Sequence, residues 1–137
     1  MDYRKYQSRR VWLHLISIPF IWLPIIAVIL LDILTSLYQF VCFPLYGIRR
    51  VKRSAYIQIL DRNKLSYLNP LEKLGCMYCG YANGFLLYAK EIASRTEKYW
   101  CGIMHADKPG FKTQEDQVKQ HFARFGDKED FWKKYGK

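Results

Sequence analysis

The stretch Val11–Tyr46, VWLHLISIPFIWLPIIAVILLDILTSLYQFVCFPLY, decides how the rest of the chain is read. From Val11 to Leu31 it carries no ionised side chain, and only His14 and Ser17 interrupt the apolar run. At about 1.5 Å per residue, a helix of this length crosses a hydrocarbon core of about 30 Å. A soluble core helix rarely needs such a run, so these residues place the protein at a membrane before they say what it does there.

Working outward, Arg4, Lys5, Arg9 and Arg10 precede the run, and Arg49, Arg50, Lys52 and Arg53 follow it. Clusters in these positions are lipid-headgroup contacts, each worth about 1 kcal/mol. The net charge of +10 would also suit nucleic acid, but no recognisable binding motif accompanies it, so no nucleic-acid partner is expected. With basic residues on both flanks, a single crossing must send one cluster across the membrane, against the usual retention of Lys and Arg in the cytoplasm. A re-entrant helix avoids that conflict. Two full spans fit poorly, because half of the stretch is about 27 Å long with nothing left for a turn. Pro19 and Pro24, each lacking a backbone donor, predict a break between an amphipathic first arm over 3–18 and a second arm over 25–43. A kinked single span is the alternative. The segment does not read as a secretory signal, since the apolar run is too long and no small-residue cleavage site follows.

Within the second arm, Asp32, Thr35, Ser36 and Gln39 recur at helical spacing and form a polar stripe on one face. Such a stripe either faces water at the headgroup boundary or sets Asp32 against a membrane-protein partner or a polar cavity. Cys42, alone in apolar surroundings, reads as a small packed hydrophobe.

After Pro44 and Gly47, Tyr56–Leu60 and Leu65–Leu68 predict a short hairpin. Asn69, Pro70 and Glu72 then form a helix start signal, with Gly75 expected to stop the helix after one turn. That stop would deliver Cys76 into a loop. Cys76 and Cys79 form C-x2-C, and Cys101 with His105 form C-x3-H, four ligand types that suit a tetrahedral Cys3His site. A single helix over 83–98 would be about 24 Å long and would hold the two pairs apart. Ser94 and Glu97 have capping-box spacing, so the site requires a helical hairpin that breaks near Ala93 and folds Cys101 back towards Cys79. Structural zinc is the first reading, because a small reduced domain with a thin core benefits from a staple. Iron in the same thiolate-rich site, a redox-active Cys76/Cys79 dithiol, and unliganded cysteines are the alternatives. His14 and His121 lack companions at ligand spacing.

The runs FPLYGIRRVKRSAYIQILDRNKLSYLNPLEKLGCMYCGYANG and KEIASRTEKYWCGIMH resemble a family of small bacterial proteins. These share C-x-Y-C-x-Y-A-N-G and T-E-x-Y-W-C-x-I-x-H after an apolar N-terminal segment. The resemblance covers roughly Asp32 to His105 and implies that Cys76, Cys79, Cys101 and His105 belong to the motif. It implies a bacterial protein and carries no established activity; with the apolar anchor, the expected location is the bacterial inner (cytoplasmic) membrane.

Between the ligand pairs, Phe85, Ala89, Ile92 and Ala93 make an apolar helix stripe, and Tyr78, Tyr81, Tyr88, Tyr99 and Trp100 add aromatic bulk around the cysteines. Beyond Pro109, Thr113 with Asp116 predicts a capped helix whose Val118, Phe122 and Phe125 share a face, and Asp127 with Asp130 starts another bearing Phe131, Trp132 and Tyr135. These aromatic pieces dock on their own domain or, with Lys133 and Lys134, rest on the bilayer.

The domains expected are a membrane anchor over 1–46, a cytoplasmic metal-site module over 47–106 and an amphipathic helical tail over 107–137. The whole is mainly α: a proline-broken membrane helix, re-entrant or single-span, with a small helical domain facing the cytoplasm. No phosphate-cradling glycine loop, nucleophile–base pair or paired carboxylates outside the polar tail point to an enzyme. The function expected is a membrane-anchored adaptor, stapled by zinc, that docks a membrane-protein partner at the cytoplasmic face. A rubredoxin-like iron electron donor and a membrane-bound dithiol oxidoreductase are the alternatives.

Overall fold

The computed structural model describes residues 11–136, without the side chains of Val11 and His14. The basic residues Arg4, Lys5, Arg9 and Arg10, and the start of the expected first arm, lie outside the described residues. Helix α1 covers Val11–Leu45 and runs unbroken through Pro19, Pro24 and Pro44. The expected proline break is therefore not formed. Each proline forfeits one helical hydrogen bond, but an apolar setting leaves the backbone no better partner than the rest of the helix. In the turn before Pro24, the carbonyl of Ile21 accepts a further hydrogen bond from the Tyr78 hydroxyl at 2.8 Å. Over Leu15–Leu45, α1 is long and apolar enough to span a membrane.

Gly47 stops α1 in the left-handed region, at φ 68°. The amide of Ile48 donates to Phe43 at 2.8 Å and that of Gly47 to Pro44 at 3.2 Å, which satisfies the last carbonyls and reverses the chain. Residues 46–69 then travel back along α1. This return segment contains 3-10 turns at Arg53–Ala55 and Arg62–Lys64 and no strand, so the hairpin expected over 56–68 is absent. Its backbone pairs within those turns and with side chains of α1.

Helix α2 covers Pro70–Trp100. Its start is the capping box read from sequence, with the Asn69 side chain accepting from the Glu72 amide at 2.8 Å and Glu72 accepting from the Asn69 amide at 3.0 Å. Contrary to expectation, α2 neither ends at Gly75 nor breaks near Ala93. Ile21 meets Tyr78, Gln39 meets Tyr88, Tyr38 meets Thr96 and Tyr46 meets Tyr99, so α1 and α2 run parallel with the return segment laid antiparallel against them.

The core lies between these three pieces: Phe43 from α1, Val51 from the return segment, and Phe85, Tyr88 and Ile92 from α2. Each large apolar side chain removed from water there contributes about 1.5–3 kcal/mol. Glycine makes the close approach possible. A Cβ on Gly84 would stand 2.6 Å from the Tyr56 carbonyl oxygen, and one on Gly80 2.6 Å from that of Gln58.

The tail packs on the far end of α2. Gly102, at φ 63°, turns the chain, and a parallel bridge pairs Ile103 with Ala123. Helix α3 is Glu115–Lys119 and α4 is Lys128–Tyr135. The cap expected from Thr113 is not made, because α3 begins after Gln114. Since α3 ends at Lys119, Phe122 enters the core while Val118 and Phe125 face outward, so the expected shared face does not form. Asp127 does cap α4, accepting from the Asp130 amide at 2.9 Å.

Candidate functional site

Helical periodicity places Asp32, Thr35, Ser36 and Gln39 on the side of α1 that meets the return segment and α2. Asp32 and Gln39 are buried there, at 5% and 6% exposure. Of the surroundings expected for the stripe, water, a membrane-protein partner or a polar cavity, these two residues meet a polar setting supplied by this chain. Arg53 approaches Asp32 with both guanidinium nitrogens: Nη1 donates to Oδ1, and Nη2 donates to Oδ2 at 2.6 Å. Tyr81 donates its hydroxyl to Oδ2 at 2.7 Å, and Ser36 donates to Oδ1 at 3.3 Å. A bidentate pair with two further donors uses most of the carboxylate's acceptor capacity. Arg53, read from sequence as a headgroup contact, is the counter-ion of the buried acid.

Two turns along, Gln39 repeats the pattern with neutral groups. Its Nε2 donates to the Tyr88 hydroxyl at 2.7 Å, and its Oε1 accepts from the Val51 amide at 2.5 Å. Two polar residues of α1 therefore fasten both later elements, one by charge and one by amide. Around them α1 is apolar and outward-facing, with Ile26, Leu30, Ile33, Leu37 and Phe40 all exposed.

The cysteines are distributed differently from the expectation. Cys76 and Cys79 lie within α2, Cys101 caps its far end, and all four cysteines are free thiols. Twenty-two residues of unbroken helix put Cys79 about 33 Å from Cys101. His105 stays near the far end, its Nε2 3.8 Å from a carboxylate oxygen of Glu97. Among the described residues no group of three or more His, Cys, Asp or Glu side chains gathers at a metal-holding geometry. The four ligands Cys76, Cys79, Cys101 and His105 are thus not assembled by one chain in this fold. The hairpin fails because Ser94 is inside the helix, where its hydroxyl accepts from Gln120 of the tail at 2.8 Å. The Cys76/Cys79 pair also lies beyond the first turn of α2, away from the free amides of the helix start.

At the far end of α1 and α2, Tyr46 stacks on Tyr99 at 4.9 Å between ring centroids, and Trp100 meets both edge-on. Tyr99 and Trp100 remain half or more exposed. Beside this aromatic shelf the tail is held to α2 by Gln117 donating to Glu97 at 2.9 Å and by a Lys90–Asp116 ion pair at 3.0 Å.

In the tail itself, the amide of Arg124 and then the ammonium of Lys134 hold the Asp130 carboxyl below the usual carboxylate range. A depressed native value contributes stability that is complete above the unfolded value near pH 4 and is lost as pH falls through the lower native value. Asp130→Asn is therefore expected to flatten the acid side of the unfolding profile of α4, read by tryptophan fluorescence. An unchanged acid limb would assign that pH dependence to other carboxylates.

Compared with known proteins, the chain matches no family model, no curated protein and no solved structure. The site is read from its own geometry. Sequence reasoning missed the joining of Asp32 to Arg53 and Tyr81 and the seat formed by Gly80 and Gly84. The second had a visible signal, since Gly80-x-x-x-Gly84 is the small-residue spacing that lets backbones approach closely at helix interfaces.

Proposed function

We propose that this protein is a membrane-anchored adaptor. Helix α1 inserts in the bilayer, the return segment and α2 grip it, and the far end of α2 with the tail faces the cytoplasm to receive a membrane-protein partner. The observation that carries the reading is the orientation of α1, which turns Asp32 and Gln39 inward and most of its large apolar side chains outward. That is the arrangement a lipid solvent favours. The basic run Arg49, Arg50 and Lys52 at the exit of α1 supports the cytoplasmic side. The exposed shelf of Tyr99 and Trp100 offers a partner the residue types that dominate interface energies.

In bacterial cells, the chain is expected to stay with the membrane pellet after alkaline carbonate extraction and to migrate on native gels within a complex larger than itself. Trp100→Ala should remain in the pellet yet lose that complex. Release by carbonate would remove the anchor from the reading, and migration of the wild-type chain alone would remove the adaptor. An impermeant maleimide should leave the exposed Cys101 unlabelled in intact cells and reach it once the membrane is opened. Labelling in intact cells would put this end of α2 outside.

A further inference from the structure

We infer that the bilayer holds more than α1: the segment Leu74–Ala89 of α2 and the return segment facing it also lie at hydrocarbon depth, and Leu74, Leu86 and Leu87 are lipid-facing. This rests on the anchor reading of α1 and extends it to a second surface. Between Lys73 and Lys90, α2 carries sixteen consecutive residues without an ionised side chain, about 24 Å of helix. Flanking lysines extend such a length towards the headgroups by snorkelling.

The outward face of this segment is apolar and uncovered. Leu86 and Leu87 are 57% and 58% exposed, and Leu74 is 45% exposed. Asn83 is also exposed, but its amide donates to the Cys79 carbonyl at 2.9 Å. The tail's polar contacts with α2 start at Lys90 and continue to Ser94 and Glu97, so the charged half of the helix is the half that the tail attends. Because α1 and α2 run parallel and touch at Ile21–Tyr78 and Gln39–Tyr88, the uncharged segment lies level with the apolar part of α1. Its surface continues the one that α1 presents. The first turns of α1, with Trp12, extend beyond it to the far headgroup boundary, where tryptophan is favoured.

The buried polar groups of α1 at this depth are paired. Arg53 and Asp32 meet beside Tyr81, near the middle of the uncharged segment. A lone charge at mid-bilayer costs about 2.5–3.5 kcal/mol even on insertion scales, and such residues pair with one another. Lys52 stands at the Lys90 end, beside Val51, whose amide Gln39 holds opposite Tyr88. The return segment is not helical, which hydrocarbon tolerates only where backbone is buried in protein or lines a polar cavity. Its carbonyls at Tyr56 and Gln58 rest on Gly84 and Gly80. Its other side borders a cleft of about 450 Å³ whose lining includes Gln58, Asp61, Arg62 and Asn83 together with Leu87, and Asp61, Arg62 and Lys64 are exposed at that end of the return segment.

The test uses the intact wild-type chain in vesicles of phosphatidylcholine and phosphatidylglycerol that contain a phospholipid with a diazirine in its acyl chain. After illumination, labelled residues are mapped by mass spectrometry. The expected result is label at Leu86 and Leu87 at a level comparable with Leu30 and Leu37 of α1, with none above background at Val118 or Trp132, which are exposed on the tail. Label confined to α1 would overturn this inference and leave the anchor reading standing. Absence of label from α1 as well would overturn both.

Discussion

Replacing Arg53 with Met is expected to destabilise the fold by about 3 kcal/mol in detergent micelles, measured by denaturant unfolding. Asp32, 5% exposed in the native fold, would keep Tyr81 and Ser36 as donors but lose both guanidinium nitrogens. Removing one partner of a buried ion pair costs about 3–5 kcal/mol, most of it from the charge left behind. The lower end applies because the Tyr81 and Ser36 hydroxyls remain as donors to the stranded carboxylate. If the stranded charge is the cause, adding Asp32→Asn to Arg53→Met should recover most of the loss, since Asn still accepts from Tyr81 and carries no charge. A double variant as unstable as the single one would show that Arg53 acts through packing.

Gly84→Ala is expected to cost about 3 kcal/mol, at the top of the usual range for overpacking. The obstruction is main chain: the added carbon would meet the Tyr56 carbonyl oxygen at 2.6 Å and the Ile57 Cα at 2.9 Å, and neither can rotate away. Relief requires lifting the return segment and, with it, the Tyr56–Tyr88 ring contact. Gly80→Ala meets one such oxygen and should behave similarly. Gly75→Ala is the control, because nothing lies within 4 Å of its added carbon. There, replacing a helical glycine should stabilise by about 0.5–1 kcal/mol. Equal stability of the Gly84 and Gly75 variants would refute the close crossing.

That a long apolar helix opens the chain was legible from the run itself, and its polar stripe from spacing alone, but neither its unbroken passage through Pro19 and Pro24 nor what the stripe would face could be read from them. The Asn69 and Asp127 starts were legible for a different reason: caps are local, and both partners lie within one turn. Local signals misled where a distant contact competed. Gly75 has the look of a helix stop, and Gly80 and Gly84 sit just after it, yet α2 keeps all three, and two of them are required by a segment passing over them. Ser94 and Glu97 have the spacing of a cap, but their side chains accept from Gln120 and Gln117 of the tail. Pairing the two cysteine motifs assumed that ligand types at suitable spacing meet, and helix continuity separates them instead. Asp32 could be flagged as needing a partner; choosing Arg53, twenty-one residues later, needs the fold.

That separation also sets a schedule for biogenesis. A ribosome adding about 5–20 residues per second supplies Arg53 roughly 1–4 s after Asp32, and Tyr81 later still. Gly80 and Gly84 cannot seat the return segment until α2 has emerged, so α1 spends its first seconds without either of its fasteners. During that interval the Asp32 carboxyl must be kept wet or neutral by something other than this chain. A nascent α1 is accordingly expected to linger at the insertion machinery until the return segment arrives, and a chain truncated before Arg53 should be retained there longer than one truncated after Trp100.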